Sequence, residues 1–174
     1  MSIHIIIDGY NLMRQSHQFC PIETMDLASG RDALIDSLVV YKRVKTHRIT
    51  VVFDGTNAPV NVGNKDRVKG IDIRYSKTGE LADAVIKRMV DREKQRAMVV
   101  TSDREVLDYA ENNGAATITS QNFEKKMVLA QYYDIKGTDL EFESKEWLPT
   151  TKKKGPARRL SRRKRRSKAR IDKL

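Results

Sequence analysis

Short β-branched runs that stop at a carboxylate constrain this chain more than any other feature. Ile5-Ile6-Ile7 ends at Asp8, Val51-Val52-Phe53 at Asp54 and Val99-Val100-Thr101-Ser102 at Asp103, while Gly79-Glu80-Leu81-Ala82-Asp83 opens a helical stretch. Runs of this kind read as strands buried on both faces, and open parallel sheets keep their ligands beyond the C-terminal ends of such strands. The fold therefore gathers acids on one rim. Two carboxylates about 5 Å apart at an effective dielectric of about 20 repel by roughly 3 kcal/mol, a large share of a domain's net stability. A divalent cation is the simplest neutraliser. Hard oxygen ligands without paired Cys or His favour Mg²⁺ or Mn²⁺, ions that commonly act together with substrate phosphates. The substrate class this implies is a phosphodiester or a nucleotide.

Hydrophobic periods alternate between strand and helix along the chain. Ile3 to Asp8 reads as a strand, Leu27 to Thr46 carries Ala33, Leu34, Leu38 and Tyr41 at helical spacing, and Ile49 to Asp54 is a second strand. A polar segment from Gly55 to Gly70 precedes a strand over Ile71 to Tyr75, a helix over Gly79 to Arg96 and a strand over Met98 to Ser102. Then come a helix ending at Asn113-Gly114, a short strand over Ala116 to Thr119, a helix from about Asn122 to Tyr133, and a closing segment over 134–149. Strands separated by helices, without hairpin turns, predict an α/β fold: a parallel sheet sandwiched by helices, joined by right-handed crossovers. With 174 residues the chain is the size of one domain.

The net charge of +11 is unevenly placed. Residues 150–174 hold 13 Lys/Arg against one Asp, so the preceding 149 residues carry a net −1. The division predicts a globular unit over 1–149 and a basic tail over 150–174 with too few apolar anchors for a core, disordered when free and attracted to polyanions. The single Cys20 excludes an intramolecular disulfide and fits a reducing compartment, and the N-terminal apolar run is too short for a signal or a membrane span. The expectation is a cytoplasmic protein that does not enter membranes. His4, His17 and His47 lack the spacing of a structural metal site.

Each acid also has an ordinary explanation. Asp8-Gly9-Tyr10-Asn11 reads as a tight turn and Asp54-Gly55 as a strand-ending turn. Ser102-Asp103-Arg104-Glu105 matches a capping box with Ser102 as N-cap. At about 100° per residue, Asp83 falls on the border of the face formed by Ala82, Val85, Ile86, Met89 and Val90, with Glu80 turned toward solvent. Glu80 and Asp83 would in any case complement the helix dipole by about 0.3–1 kcal/mol each.

The ordered set Ile6-Ile7-Asp8-Gly9-Tyr10-Asn11-Leu12, Val52-Phe53-Asp54-Gly55, Tyr75-Ser76, Gly79-Glu80-Leu81-Ala82-Asp83, Thr101-Ser102-Asp103-Arg104-Glu105 and Gly114-Ala115 resembles the NYN domain, specifically its YacP-like branch among the PIN-like nucleases. The resemblance spans about residues 3–133 and leaves the tail outside. It implies a metal-dependent endoribonuclease using Mg²⁺ or Mn²⁺, in a branch where ribosome association occurs. Carried over by motif, Asp8, Asp83 and Asp103 bind metal, Asn11 stands beside the first acid and Asp54 is a further catalytic acid at the site edge; Glu80 and Ser102 are candidate supporting residues. The mechanism implied is metal-assisted hydrolysis without a side-chain nucleophile. Candidate RNA contacts are Lys65, Arg67, Lys69 and Lys77, with Arg158, Arg159, Arg162, Arg163, Lys164, Arg165 and Arg166 of the tail; Tyr10 is a candidate for base stacking or for packing. Two other classes fit parts of the pattern. One is a non-catalytic RNA-binding or ribosome-associated factor that uses the tail, and the other is a phosphoacceptor of the response-regulator kind centred on Asp54.

Overall fold

In the computed structural model, which describes residues 3–57, 65–136 and 162–174, the strand-forming runs assemble into one six-stranded sheet of order β3-β4-β2-β1-β5-β6. Strands β1 (His4–Asp8), β2 (Arg48–Phe53), β4 (Ile71–Tyr75), β5 (Ala97–Val100) and β6 (Ala116–Ile118) are mutually parallel, with Asp8 opposite Val52 in the register. Strand β3 (Lys65–Val68) pairs antiparallel with β4. The helices are α1 (Gly9–Gln15), α2 (Cys20–Met25), α3 (Leu27–Val44), α4 (Ala82–Glu93), α5 (Arg104–Asn112), α6 (Ser120–Lys136) and α7 (Arg162–Ile171).

Alternate side chains of the central strands divide the core into two layers, as a period of two requires. Ile5, Ile7, Val51, Phe53, Met98 and Val100 pack with Leu12, Leu34, Leu38, Tyr41 and Phe123 on one face. Ile6, Val52 and Val99 pack with Val85, Ile86, Met89, Val90, Val106 and Ala110 on the other. The face expected for the fourth helix is thus the buried one. The parallel sheet covered by helices is the predicted architecture.

Four local differences have physical causes. The helix expected from Gly79 begins at Ala82, because Gly79 adopts φ +82° and closes a turn before it. The expected turn Asp8-Gly9-Tyr10-Asn11 is the first turn of α1, with Asp8 as its N-cap. The absence of hairpins does not hold: Val68 and Ile71 are partners across Lys69 (φ 49°) and Gly70 (φ 87°), two positive-φ residues of the kind a primed hairpin turn requires. The expected disorder of the basic tail does not hold over 162–174. Helix α7 packs against β6, Leu174 is buried in the core, and the Tyr41 hydroxyl donates to its carbonyl at 3.0 Å. Arg158, Arg159 and most of the expected closing segment, from residue 137 onward, lie outside the described residues.

The C-terminal end of α7 is held at the edge of the sheet opposite the acids. Arg170 donates to the carbonyl of Gln95, just before β5, while Lys45 and the His47 ring meet the carbonyl of Lys173 just before β2. Lys126 donates to the carbonyl of Ile171. These donors satisfy main-chain acceptors that a helix terminus leaves open. Leu174→Ala should therefore destabilise the protein by about 2–3 kcal/mol, the usual scale for emptying a buried leucine site, whereas a dispensable arm would show no change in chemical denaturation.

Candidate active site

Strand-to-helix junctions build the acidic rim, and each junction uses its acid to start a helix. Asp8 ends β1 and accepts from the amide of Asn11 at 3.2 Å. Asp54, one residue beyond β2, accepts from the amide of Ala82 at 2.6 Å and so fills the capping role for α4 that Leu81 cannot. Asp103 caps α5, its Oδ1 accepting from Glu105 at 2.8 Å and Val106 at 3.4 Å. Ser102 is therefore not the cap the capping-box pattern suggests; its hydroxyl instead accepts from the amide of Ser120 at 3.3 Å. Carboxylates and the positive ends of three helices thus meet along one rim.

Close backbone approach holds the rim together. A Cβ on Gly9 would sit 2.2 Å from the ring of Phe53, and one on Gly55 would sit 1.9 Å from the carbonyl oxygen of Ser76. Side-chain bridges finish the fixation. Thr101 Oγ1 donates to Asp8 Oδ2 at 3.2 Å and accepts from the Asp103 amide at 3.1 Å, linking two of the acids through one hydroxyl. Asn11 Oδ1 accepts from the Ser102 amide and from the Ser120 hydroxyl, both at 2.8 Å. The polar residue beside the first acid therefore ties α1 to the ends of β5 and β6. Thr101 and Ser120 were not singled out from the sequence, although a hydroxyl in the polar Thr101-Ser102 pair after Val100 was available as a signal.

Burial raises the Asp8 carboxyl to about 6, with the negative charges of Asp83 and Asp54 adding to the rise against the hydrogen bonds from Asn11 and Thr101. Asp83 is likewise raised, by burial first and then by Asp103, Asp54 and Glu105, with Lys87 opposing them. The acids are thus close enough to repel. Among the described residues, however, no three His, Cys, Asp or Glu side chains form a ready cage for a metal ion. The donor chemistry still fits Mg²⁺ or Mn²⁺, which take one or two carboxylates, keep several waters and rely on substrate phosphates instead of an all-protein cage. Asp8 and Asp83, each raised by burial first and by neighbouring carboxylates next, would hold such an ion. Both oxygens of Asp83 and Oδ2 of Asp103 accept no hydrogen bond among the described residues.

Other sequence candidates fall elsewhere. Glu80 pairs with Arg88 and accepts from the Lys77 amide, which holds its carboxyl below the usual range and assigns it to the turn. Tyr10 is buried, hydrogen-bonded to Arg31 and packed on Phe53, so it is a packing residue and not a base-stacking one. Lys69 is paired with Asp36 at 2.9 Å, and Arg67 lies 3.6 Å from Asp72; Lys65 and Lys77 are exposed. Lys164, Arg165 and Arg166 are exposed on α7, to which Arg162 and Arg163 also belong. Lys87, absent from the sequence candidates, pairs with Glu105 at 2.5 Å beside Asp83.

Comparison with known families matches the YacP-like NYN domain over residues 5–171. The chain belongs to that family. Membership makes it a nuclease-family protein with an RNA-related function, and the match runs through the basic helix α7, beyond the residue 133 at which the motif resemblance stopped. Crystal structures of Rae1 (YacP) from Bacillus subtilis share the fold. One is 22% identical with a TM-score of 0.63, covering 76% of each chain, and a single-substitution mutant is 20% identical with a TM-score of 0.62, covering 75% of this chain and 77% of that one. No curated protein matches the chain. Among the described residues no helix is long and apolar enough to cross a membrane.

The sign of the Asp8 effect gives a pH test. Its folded value lies above the ordinary 3.8, so its contribution to stability is fully present below pH 3.8 and lost as pH rises through about 6. Keeping it ionised at neutral pH opposes folding by roughly 3 kcal/mol in ion-free protein. Asp8→Asn, which keeps a good capping residue, should melt higher than wild type at pH 7.5 in EDTA and converge with it below about pH 4. Equal melting across that range would show that Asp8 is not under electrostatic stress.

Proposed function

We propose that the protein is a divalent-metal-dependent endoribonuclease that hydrolyses RNA phosphodiester bonds at the rim formed by Asp8, Asp54, Asp83 and Asp103. The observation carrying this reading is the gathering of Asp8, Asp54 and Asp103 at the convergence of three helix N-termini with Asp83 in the first turn of α4, where burial first and neighbouring carboxylates next raise Asp8 and Asp83. An RNA backbone brings further negative charge, so the rim suits a phosphodiester only with cationic help. When bound, the ion supplies Lewis acidity toward the phosphate and lowers the pKa of the attacking water.

The chain's own residues provide position. Thr101 and the Asn11 amide orient the Asp8 carboxylate, and Thr101 also fixes the amide of Asp103. Asn11 holds the Ser102 backbone and the start of α6, so the β5 junction cannot shift relative to α1. Lys87 sets a positive charge beside Asp83 and Glu105. No side-chain nucleophile is required, and the proposed reaction is direct displacement by water without a covalent enzyme intermediate.

Cleavage of RNA and of single-stranded DNA by wild type, Asp8→Asn and Asp83→Asn, in Mg²⁺, Mn²⁺ and EDTA, tests the reading. Each substitution should lower the saturated rate by about 100-fold or more, the order expected for loss of an electrostatic stabiliser at the reacting centre. An ion at about 100-fold saturation should also stabilise wild type by roughly 2.7 kcal/mol. Metal-independent melting together with no metal-dependent cleavage would leave the non-catalytic RNA-binding alternative.

The ribosome is the proposed setting for this cleavage, supported by the exposed basic side chains Lys164, Arg165 and Arg166 on α7, which suit ribosomal RNA. Changing all three to Gln should lower the log–log salt slope of single-stranded RNA binding by about 2 and reduce co-sedimentation with ribosomes. Unchanged binding in both assays would remove α7 from the interface.

A further inference from the structure

Helix α4 covers β1, β2 and β5, but the sheet continues past it on the same side through β4 and β3. The core-facing residues of β4 are Ile71, Ile73 and Tyr75, so Asp72 and Arg74 project to the α4 side, where Arg74 is the register partner of Val52. Antiparallel pairing puts Lys65 beside Arg74 and Arg67 beside Asp72 on that same side. Arg48 of β2 reaches Asp72 at 3.2 Å. Among the described residues this face thus carries Lys65, Arg74, Arg67 and Arg48 around the carboxylate of Asp72. Asp72 engages Arg48 and Arg67, whereas Lys65 and Arg74 form no ion pair among the described residues.

We infer that this face of the β3–β4 ribbon is a binding track for the sugar–phosphate backbone of single-stranded RNA leading to or from the cleavage rim. The proposal rests on the nuclease reading above and extends it to the path of the substrate. The Lys65–Arg74 rung lies one residue from the end of β4 and two from Ser76, whose hydroxyl accepts from the amide of Gly55 at 2.9 Å, beside Asp54. The Arg67–Asp72 rung lies about 7 Å further from the rim, a two-residue step along a strand. The Lys65–Arg74 rung is cationic, the Arg67–Asp72 rung is made so by Arg48 beside it, and the two, in line with the acids, can take successive phosphates. Among the described residues the face offers charged and polar side chains and no aromatic ring, so it reads backbone and not bases, in contrast to a stacking platform.

Binding of a fluorescein-labelled, unstructured 12-nucleotide RNA by full-length protein in EDTA, measured across a salt series, tests the track without requiring cleavage. Lys65→Gln combined with Arg74→Gln should lower the log–log salt slope by about 1.4 and weaken binding roughly 25-fold at 0.1 M salt relative to 1 M. Lys65→Arg combined with Arg74→Lys should bind as wild type does. Arg43→Gln, which removes a charge from α3 on the opposite side of the sheet, should leave the slope unchanged. Loss in the double Gln variant with rescue by the charge-preserving pair supports the track. A slope unaltered in the double Gln variant, while wild type binds and cleaves RNA, overturns the track and leaves the nuclease reading standing. Failure of wild type to bind RNA at low salt, with or without Mn²⁺, overturns both.

Discussion

The rim depends on one arrangement: a carboxylate at the end of a buried parallel strand that also begins a helix. Asp8 and Asp103 do this directly, and Asp54 does it across a gap by accepting from the amide of Ala82. Capping draws each acid toward a helix N-terminus and its partial positive charge, which makes the gathering of acids tolerable to the fold. The structural and chemical explanations for these residues therefore do not compete. Capping uses one oxygen of Asp103 and of Asp54, and Asp83, placed in the first turn of α4, needs no capping role at all. What remains uncompensated is the burial that raises Asp8 and Asp83, with repulsion from neighbouring carboxylates adding to it.

Much of this organisation was legible in the amino-acid sequence because it rests on strong, local signals. Ile5-Ile6-Ile7, Val51-Val52-Phe53 and Val99-Val100 are buried on both faces, so their runs are uninterrupted, and the α4 stripe from Ala82 to Val90 marks its own inward side. Strand β3 was hidden for the opposite reason. Lys65-Asp66-Arg67-Val68 sits at the sheet edge with its first three residues exposed and bears no apolar alternation, and its pairing is declared chiefly by the positive-φ turn at Lys69-Gly70. Helix α7 was hidden by its own charge. The anchors Ile171 and Leu174 are outnumbered by basic side chains, and what they dock on is supplied by α3, α6 and β6, far away in sequence.

The site was legible as a set of residue types but less so as a set of contacts. The spacing Ser102 to Glu105 matches a capping box, yet β5 ends at Val100 and the helix begins at Arg104, so the cap moves one residue to Asp103. Glu80 sits in the same motif as Asp83 but faces Arg88 instead of the other acids. Thr101 and Ser120 gain their meaning only from long-range partners, Asp8 for one and Asn11 for the other, and no local pattern announces such partners.

The manner in which α7 is fastened separates two properties that usually change together. Lys126, Lys45, His47 and Tyr41 all reach main-chain carbonyls of residues 171–174, and the apolar anchorage comes from Ile171 and Leu174. Apart from Arg170, whose side chain donates to the Gln95 carbonyl, attachment is thus indifferent to what the outward side chains of the helix are. Their charge can be rewritten residue by residue while the mounting stays intact, so the surface this helix shows to a partner can change without disturbing the fold beneath it.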